Sequence, residues 1–359
     1  MDTNLPINQL ASLQVETFNL QPVILPTFKP ETFKPETFNL EPQNMKPITI
    51  GKLRGLQQIS SSRGTFTALA LDHRQNLRKA NPIFVSNEEL SHFKTDVTAT
   101  LASRSTAVLL DPEVSAAQAI AQRAIPNNVG LVVAVESTGY AGDATARQAQ
   151  IIPGWSVEKA KRMGASAIKL LVYYHPDSPT ALEIEAFTKN IADECTKHDL
   201  VLMLEPLSYS LDESKKISSE EKRYVVVESA KRLTPLGADI LKAEFPLDVT
   251  ESNQTLWKEA CEEISSATDI PWILLSAAVE FEFFLQQVTV ACNAGASGIA
   301  VGRAVWKEAV TMSSDERIKF LRTVGRHRIS RLTSLCHALA KPYTDFYTAD
   351  APFDWHKNY

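Results

Sequence analysis

Three apolar stretches of the chain carry charge where charge is costly. They are Ala167-Ile-Lys-Leu-Leu-Val-Tyr-Tyr174, with Lys169; Val201-Leu-Met-Leu-Glu-Pro-Leu207, with Glu205; and Asp239-Ile-Leu-Lys-Ala-Glu-Phe-Pro246, with Lys242. An ion withdrawn from water into a buried β-strand is strongly disfavoured unless it is paired. Two amines and a carboxylate on consecutive strands therefore point to one shared site. They are the parts needed for Schiff-base chemistry: an uncharged lysine attacks a ketone, and the resulting iminium draws in the electrons of a breaking carbon–carbon bond. On this reading Lys242 is the nucleophile. Burial, with Lys169 as a neighbouring cation, lowers its pKa, and Glu205 moves protons. Glu244 faces inward with Lys242 by strand parity and is a rival for proton transfer. A structural ion-pair network filling a fold interior is the alternative.

The elements that would position these residues repeat as strand then helix from Gly51 onward. Candidate strands are Thr65–Leu71, Ala107–Leu110, Leu131–Glu136, Ser166–Tyr173, Leu200–Leu207, Asp239–Phe245, Pro271–Ala277 and Gly298–Gly302. Helical patterns separate most of them, among them Asn87–Ala102, Ser156–Met163 and Ser219–Leu233. Ser156 and Ser218 suit N-caps, and Ser218 has Glu221 three residues on, as a capping box requires. Eight such units predict an α/β fold of the (β/α)₈ TIM-barrel type. The rival is a doubly wound sheet. It would want a glycine-rich turn after its first strand, where this chain reads Asp-His-Arg-Gln-Asn.

A barrel of this kind places its active site at the C-terminal ends of the strands. Polar residues fall there: Asp72 and Arg74 after the first strand, Asp111 and Glu113 after the second, Glu136 at the end of the third, Ser276 near the end of the seventh, and Gly302-Arg303 at the end of the eighth. The last two strand ends form a frequent phosphate site in this fold, and Ser276, Gly302 and Arg303 suit a dianion. His73, His175, Asp111 and Glu113 read as solvated loop residues. No histidine pair has zinc spacing, so no metal is expected, and the lysine chemistry needs no cofactor.

Bulk composition fits a globular protein: 359 residues, 44% hydrophobic and 22% charged, with net charge -5. That balance argues against nucleic acid or an anionic membrane as partner. No run reaches the ~20 apolar residues of a membrane span, and no secretory leader is visible. Four scattered cysteines read as free thiols in a reducing cytoplasm. Residues 1–49 contain a direct repeat, Glu16-Thr-Phe-Asn-Leu-Gln-Pro22 and Glu36-Thr-Phe-Asn-Leu-Glu-Pro42, with frequent proline. They are expected to form a disordered arm that acts as a linker or docks a partner. Residues 50–342 form the barrel and 343–359 an aromatic tail. A homo-oligomer is expected.

The segments Ala68-Leu-Ala-Leu-Asp72-His-Arg74, Leu109-Leu-Asp-Pro-Glu113, Glu136-Ser-Thr-Gly-Tyr140, Ile168-Lys-Leu-Leu-Val-Tyr-Tyr174, Leu241-Lys-Ala-Glu-Phe-Pro246 and Gly302-Arg-Ala-Val-Trp306 resemble the tagatose 1,6-bisphosphate aldolase family. Pro271–Trp306 is also similar to the related sulfofructose-phosphate aldolases. The resemblance spans about residues 52–340. It implies a metal-independent class I aldolase on a (β/α)₈ barrel, cleaving a ketohexose 1,6-bisphosphate to dihydroxyacetone phosphate and glyceraldehyde 3-phosphate. It implies Lys242 as the Schiff-base lysine and Glu205 as the proton-transferring group. It also implies Lys169 and Asp72 on the sugar hydroxyls, and Ser276, Gly302 and Arg303 at a phosphate, with Arg74 at the substrate. Alternatives are a sulfofructose 1-phosphate aldolase and a non-catalytic phosphosugar-binding barrel. Three places depart from the family pattern: His73 for a glutamine, Gln75-Asn76 for a glycine and a small residue, and Ala278 for a glycine. The last is expected to restrict how closely backbone approaches a phosphate.

Overall fold

Runs rich in valine, leucine and isoleucine can be buried on both faces, and here they are. In the computed structural model, which describes residues 45–357 and 359, eight parallel strands close into a barrel. They are β1 (Phe66–Ala70), β2 (Ala107–Leu110), β3 (Gly130–Ala134), β4 (Ala167–Tyr173), β5 (Val201–Leu207), β6 (Ile240–Ala243), β7 (Trp272–Leu275) and β8 (Gly298–Val301). Each strand pairs with the next, and β8 pairs with β1. Closure rules out the doubly wound sheet. Residues 1–44, most of the repeat-bearing arm, lie outside the described residues. Among the described residues no helix is long and apolar enough to cross a membrane.

Helices cover the barrel where the periodicity places them, for example Asn87–Leu101, Val157–Met163 and Ser219–Leu233. The Ser156 hydroxyl accepts from Lys159 N at the start of its helix, and Gly164, at φ +96°, ends it in the left-handed region. Ser218 accepts from Glu221 N, but the reciprocal half of the expected capping box is not made. The Glu221 carboxylate faces His175 Nε2 at 3.3 Å instead. A complete capping box forms at Ser313 and Glu316.

Helix Ile50–Ile59, absent from the sequence reading, closes the N-terminal end of the barrel. Leu56 and Ile59 are fully buried. Gly55 lies so close that a Cβ would sit 2.7 Å from the Ser166 carbonyl oxygen at the entrance to β4. Lys52 pairs with Asp239 Oδ2 at 2.8 Å, both side chains buried, just before β6. The Tyr347 hydroxyl donates to the Asp239 carbonyl at 2.8 Å, and residues Lys46–Pro47 pair in parallel with Tyr347–Thr348. A further addition at the opposite end is the antiparallel hairpin Ala141–Asp143 and Ala146–Gln148, inserted after β3.

Gly298 opens β8 with φ +141°. A Cβ at this position would fall inside the contact radius of the Phe66 carbonyl oxygen on β1. Backbone strain and a backbone clash act together there, with no side chain free to yield. Gly298→Ala is expected to destabilise the fold by more than about 2 kcal/mol, read as a lowered midpoint in urea unfolding.

Candidate active site

The C-terminal ends of the strands surround a cleft of about 330 Å³. All eight residues singled out from sequence line it: Asp72 and Arg74 after β1, Lys169 on β4, Glu205 on β5, Lys242 on β6, Ser276 after β7, and Gly302 and Arg303 after β8. Inward-facing side chains of neighbouring strands approach diagonally because the strands of a closed barrel are staggered. Lys169 is registered against Met203 and Glu205 against Leu171, yet the two charges meet.

The centre of the cleft is an ion cluster. Lys169 Nζ donates to Asp72 Oδ2 at 2.8 Å and to Glu136 Oε1 at 2.7 Å, and stands 3.0 Å from Glu205 Oε2. The other oxygen of Glu205, Oε1, lies 2.7 Å from Lys242 Nζ. Every one of these side chains is largely buried. Burial pushes the Lys169 pKa down. Asp72, Glu136 and Glu205 outweigh it and hold the ammonium well above the usual lysine range. Burial likewise disfavours the Asp72 carboxylate, but Lys169, Lys242 and His73 together keep it well below its ordinary value. At Glu136 burial wins, and its carboxyl is raised despite Lys169. The charge of Lys169 is thus met by three carboxylates rather than left bare beside Lys242.

Glu136 is the member of this cluster to which the sequence reading gave no role. Its signal was of the same kind as that of Lys169: a charge closing an apolar run, Leu131-Val-Val-Ala-Val-Glu136. Its second oxygen accepts from Leu171 N at 3.2 Å, which locks the carboxylate onto β4. Glu244 points into the cleft as parity predicts. Ser208 N and Oγ donate to its Oε2 at 2.6 and 2.7 Å, so that oxygen is fixed to the loop after β5.

At the β7–β8 corner Gly302 N donates to Ser276 Oγ at 3.2 Å. Ala277 and Ala278 have φ +43° and +61°, the left-handed region that glycine occupies freely. A Cβ on Gly302 would lie 3.0 Å from both the Ala70 carbonyl oxygen and His73 Cε1, so a larger residue would crowd β1 and the His73 ring. Arg303 Nε is buried and has no protein partner among the described residues. Burial holds its guanidinium below the ordinary arginine value.

Glu113 is exposed as the sequence suggested, whereas Asp111, His175 and His73 are less exposed than expected. Asp111 is fully buried and paired with Lys94, itself fully buried; it caps its own loop by accepting from Glu113 N and Val114 N at 3.0 and 2.9 Å. Glu113 pairs with Arg74, whose Nη2 also donates to the Glu136 carbonyl at 2.9 Å. His175 is buried and receives the Asp177 amide on Nδ1 at 3.2 Å. His73 packs edge-on against Trp306, 5.5 Å between ring centroids, and its buried Nδ1 lacks a hydrogen-bond partner among the described residues. These enclosures arise from contacts between distant segments, which no local pattern encodes.

Residues 66–308 match the family described as DeoC/LacD family aldolase. The tagatose 1,6-diphosphate aldolase 2 of Streptococcus mutans is 32% identical over 326 residues, covering 82% of this chain and 97% of that protein. The enzyme of the same name from Enterococcus faecalis is 31% identical over 322 residues, covering 82% and 96%. An archaeal fructose 1,6-bisphosphate aldolase structure covers 80% of this chain and 99% of its own, with TM-score 0.53 and 21% identity. The fructose-bisphosphate aldolase of Plasmodium falciparum covers 83% and 98%, with TM-score 0.66 and 15% identity. Both share the fold. Fold and relatives together define a class I aldolase, a carbon–carbon lyase. The chain belongs to the DeoC/LacD aldolase family.

Burial, reinforced by Arg303 and Lys242 against the opposing pull of Asp72, lowers the His73 imidazole from 6.5 to about 3. Its ring is therefore neutral above about pH 4. The unfolded chain takes up a proton near pH 6.5 that the fold refuses, so this residue withdraws stability as pH falls below that value. Histidine-selective NMR is expected to show the His73 imidazole still neutral at pH 5. A His73 midpoint near 6.5 would contradict the enclosure described here.

Proposed function

We propose that the protein reversibly cleaves a ketohexose 1,6-bisphosphate, of the tagatose or fructose series, to dihydroxyacetone phosphate and glyceraldehyde 3-phosphate through a Schiff base on Lys242. The observation that carries this reading is the 2.7 Å pair between Lys242 Nζ and Glu205 Oε1, buried in the barrel mouth beside a second lysine already clamped by carboxylates. Lys169 is held as a cation by three partners. Lys242 meets one carboxylate, and that carboxylate is placed to accept its proton. The names of the relatives, tagatose 1,6-diphosphate aldolases, support the substrate class.

Glu205 takes a proton from Lys242, and the freed amine attacks the C2 ketone. The carbinolamine loses water, with Glu205 returning the proton to the leaving hydroxyl, to give an iminium. The hydroxyl at C4 then gives up its proton to Glu205. The C3–C4 bond breaks and its electron pair moves into the iminium, leaving an enamine on Lys242 and releasing an aldehyde. Protonation at C3 and hydrolysis release the ketone and regenerate the amine. The ammonium of Lys169 and the carboxylate of Asp72 hold the hydroxyls, and Lys169 steadies negative charge developing at the C4 oxygen. Ser276, Gly302 and the free Nε of Arg303 receive a phosphate at the β7–β8 corner. Glu205 suits the proton transfers better than Glu244 because its Oε1 lies 2.7 Å from Lys242 Nζ, while Glu244 Oε2 is held by Ser208 in the loop after β5.

Borohydride added with substrate is expected to leave one covalent adduct, mapped to Lys242 by peptide mass spectrometry. Lys242→Ala should lower turnover by roughly 10³-fold or more and Glu205→Gln by about 10²-fold, while a chelator leaves the rate unchanged. An adduct on another lysine, or a Lys242→Ala protein of ordinary activity, would remove Lys242 from this role.

A further inference from the structure

We infer that Arg147, held between three tyrosine rings at the rim of the cleft, receives the second phosphate of a bisphosphorylated substrate. This deepens the aldolase reading, on which it rests, by naming the residue that distinguishes a bisphosphate from a monophosphate.

A ketose with a phosphate at each end cannot seat both in one corner. With one phosphate against Ser276, Gly302 and Arg303 and its carbonyl at Lys242, the sugar runs across the mouth past Glu205 and Lys169, toward the ends of β3 and β4. Tyr173, at the end of β4, lines the cleft there. Arg74 lines the cleft on this side, and Arg147 stacks on Tyr173 beside it. Arg74 has both terminal nitrogens engaged, one by Glu113 and one by the Glu136 carbonyl, and keeps only its buried Nε without a partner among the described residues, so it has no free two-nitrogen edge to offer.

Arg147 sits on the hairpin inserted after β3. Its guanidinium carbon lies 4.3 Å from the centroid of Tyr140, 4.4 Å from Tyr209 and 4.9 Å from Tyr173. Its Nε donates to the Ala144 carbonyl at 2.9 Å. Among the described residues no carboxylate forms an ion pair with it, and its two terminal nitrogens make no hydrogen bond to protein. Aromatic rings hold a guanidinium over their faces without cancelling its charge. They leave its planar edge of donors available, and that edge matches two oxygens of a phosphate.

The position is also built rather than incidental. The Arg147 carbonyl accepts from Thr180 Oγ1 at 3.0 Å, and the Tyr209 hydroxyl donates to Ser178 Oγ at 2.8 Å, which fixes hairpin and cage to the loop after β4. Tyr173 is close enough to Arg147 and Lys169 for both charges to act on its hydroxyl, so the cage borders the ion cluster.

The test is steady-state kinetics of wild type, Arg147→Gln and Arg147→Lys on a ketose 1,6-bisphosphate and on the matching ketose 1-phosphate. Arg147→Gln is expected to raise KM for the bisphosphate about tenfold or more, leaving kcat/KM for the 1-phosphate within about twofold of wild type. Arg147→Lys, which keeps the charge but not the fork, should fall between, and it carries the comparison if the glutamine variant does not fold. Equal losses on both substrates, or no change on either, would overturn the assignment. If wild type cleaves neither substrate, the aldolase reading itself fails. Calorimetric titration with glyceraldehyde 3-phosphate then decides for Arg147 separately: binding lost in Arg147→Gln supports the assignment, and equal binding by both proteins overturns it.

Discussion

One ammonium group organises the mouth of this barrel. Lys169 binds Asp72 from the loop after β1, Glu136 from the end of β3 and Glu205 from β5, and through Glu205 it is joined to Lys242 on β6. Elements far apart in sequence are thus tied at one atom. Such a cluster is not an obvious source of stability, since burying each ion costs several kcal/mol and apolar replacements often fold as well. Its effect is to assign protonation states. A cation that must remain charged and a carboxyl pushed toward neutrality sit within one hydrogen bond of each other, while the neighbouring amine is answered by a single carboxylate.

The support for that cluster lies one layer further out. Asp111 and Lys94 form a fully buried pair behind β2, and Asp111 shapes the loop that presents Glu113. Glu113 holds Arg74, and Arg74 holds the backbone of Glu136, whose carboxylate then faces Lys169. Rigid outer partners of this kind keep reacting groups in place, because a side chain locked by its own contacts does not need to be ordered by substrate.

The barrel and the core of its site were legible because charge inside an apolar run is a local signal that reports a non-local fact. Lys169, Glu205 and Lys242 carried it, Asp72 followed from its place after the first strand, and the strand boundaries followed from period and caps. Glu136 carried the same signal at the very end of its run, where it reads equally well as the first residue of a loop. Helix Ile50–Ile59 carries two glycines, Gly51 and Gly55, which weaken a helical pattern. Gly55 is present because the helix lies directly against the strand entrances and a larger residue would not fit. The hairpin carrying Arg147 has small polar residues and no alternation, so nothing in Ala141-Gly-Asp-Ala-Thr-Ala146 announces strands. The positive φ of Ala277 and Ala278 was equally invisible, since alanine does not advertise that conformation. The position of Ala278 had been read as a limit on backbone approach. The geometry adds that Ala278 stands in the left-handed region at φ +61°.

Helix Ile50–Ile59, with Leu56, Ile59 and the Lys52–Asp239 pair, covers the N-terminal end of the barrel, and among the described residues the cleft lies at the other end. Whatever is split inside must leave by the way it came. On the proposed chemistry the fragment attached to Lys242 lies deepest and the free aldehyde lies outward, so departure is sequential and the order is fixed by architecture. In the synthetic direction the same geometry loads the ketone first and uses the incoming aldehyde as the stopper.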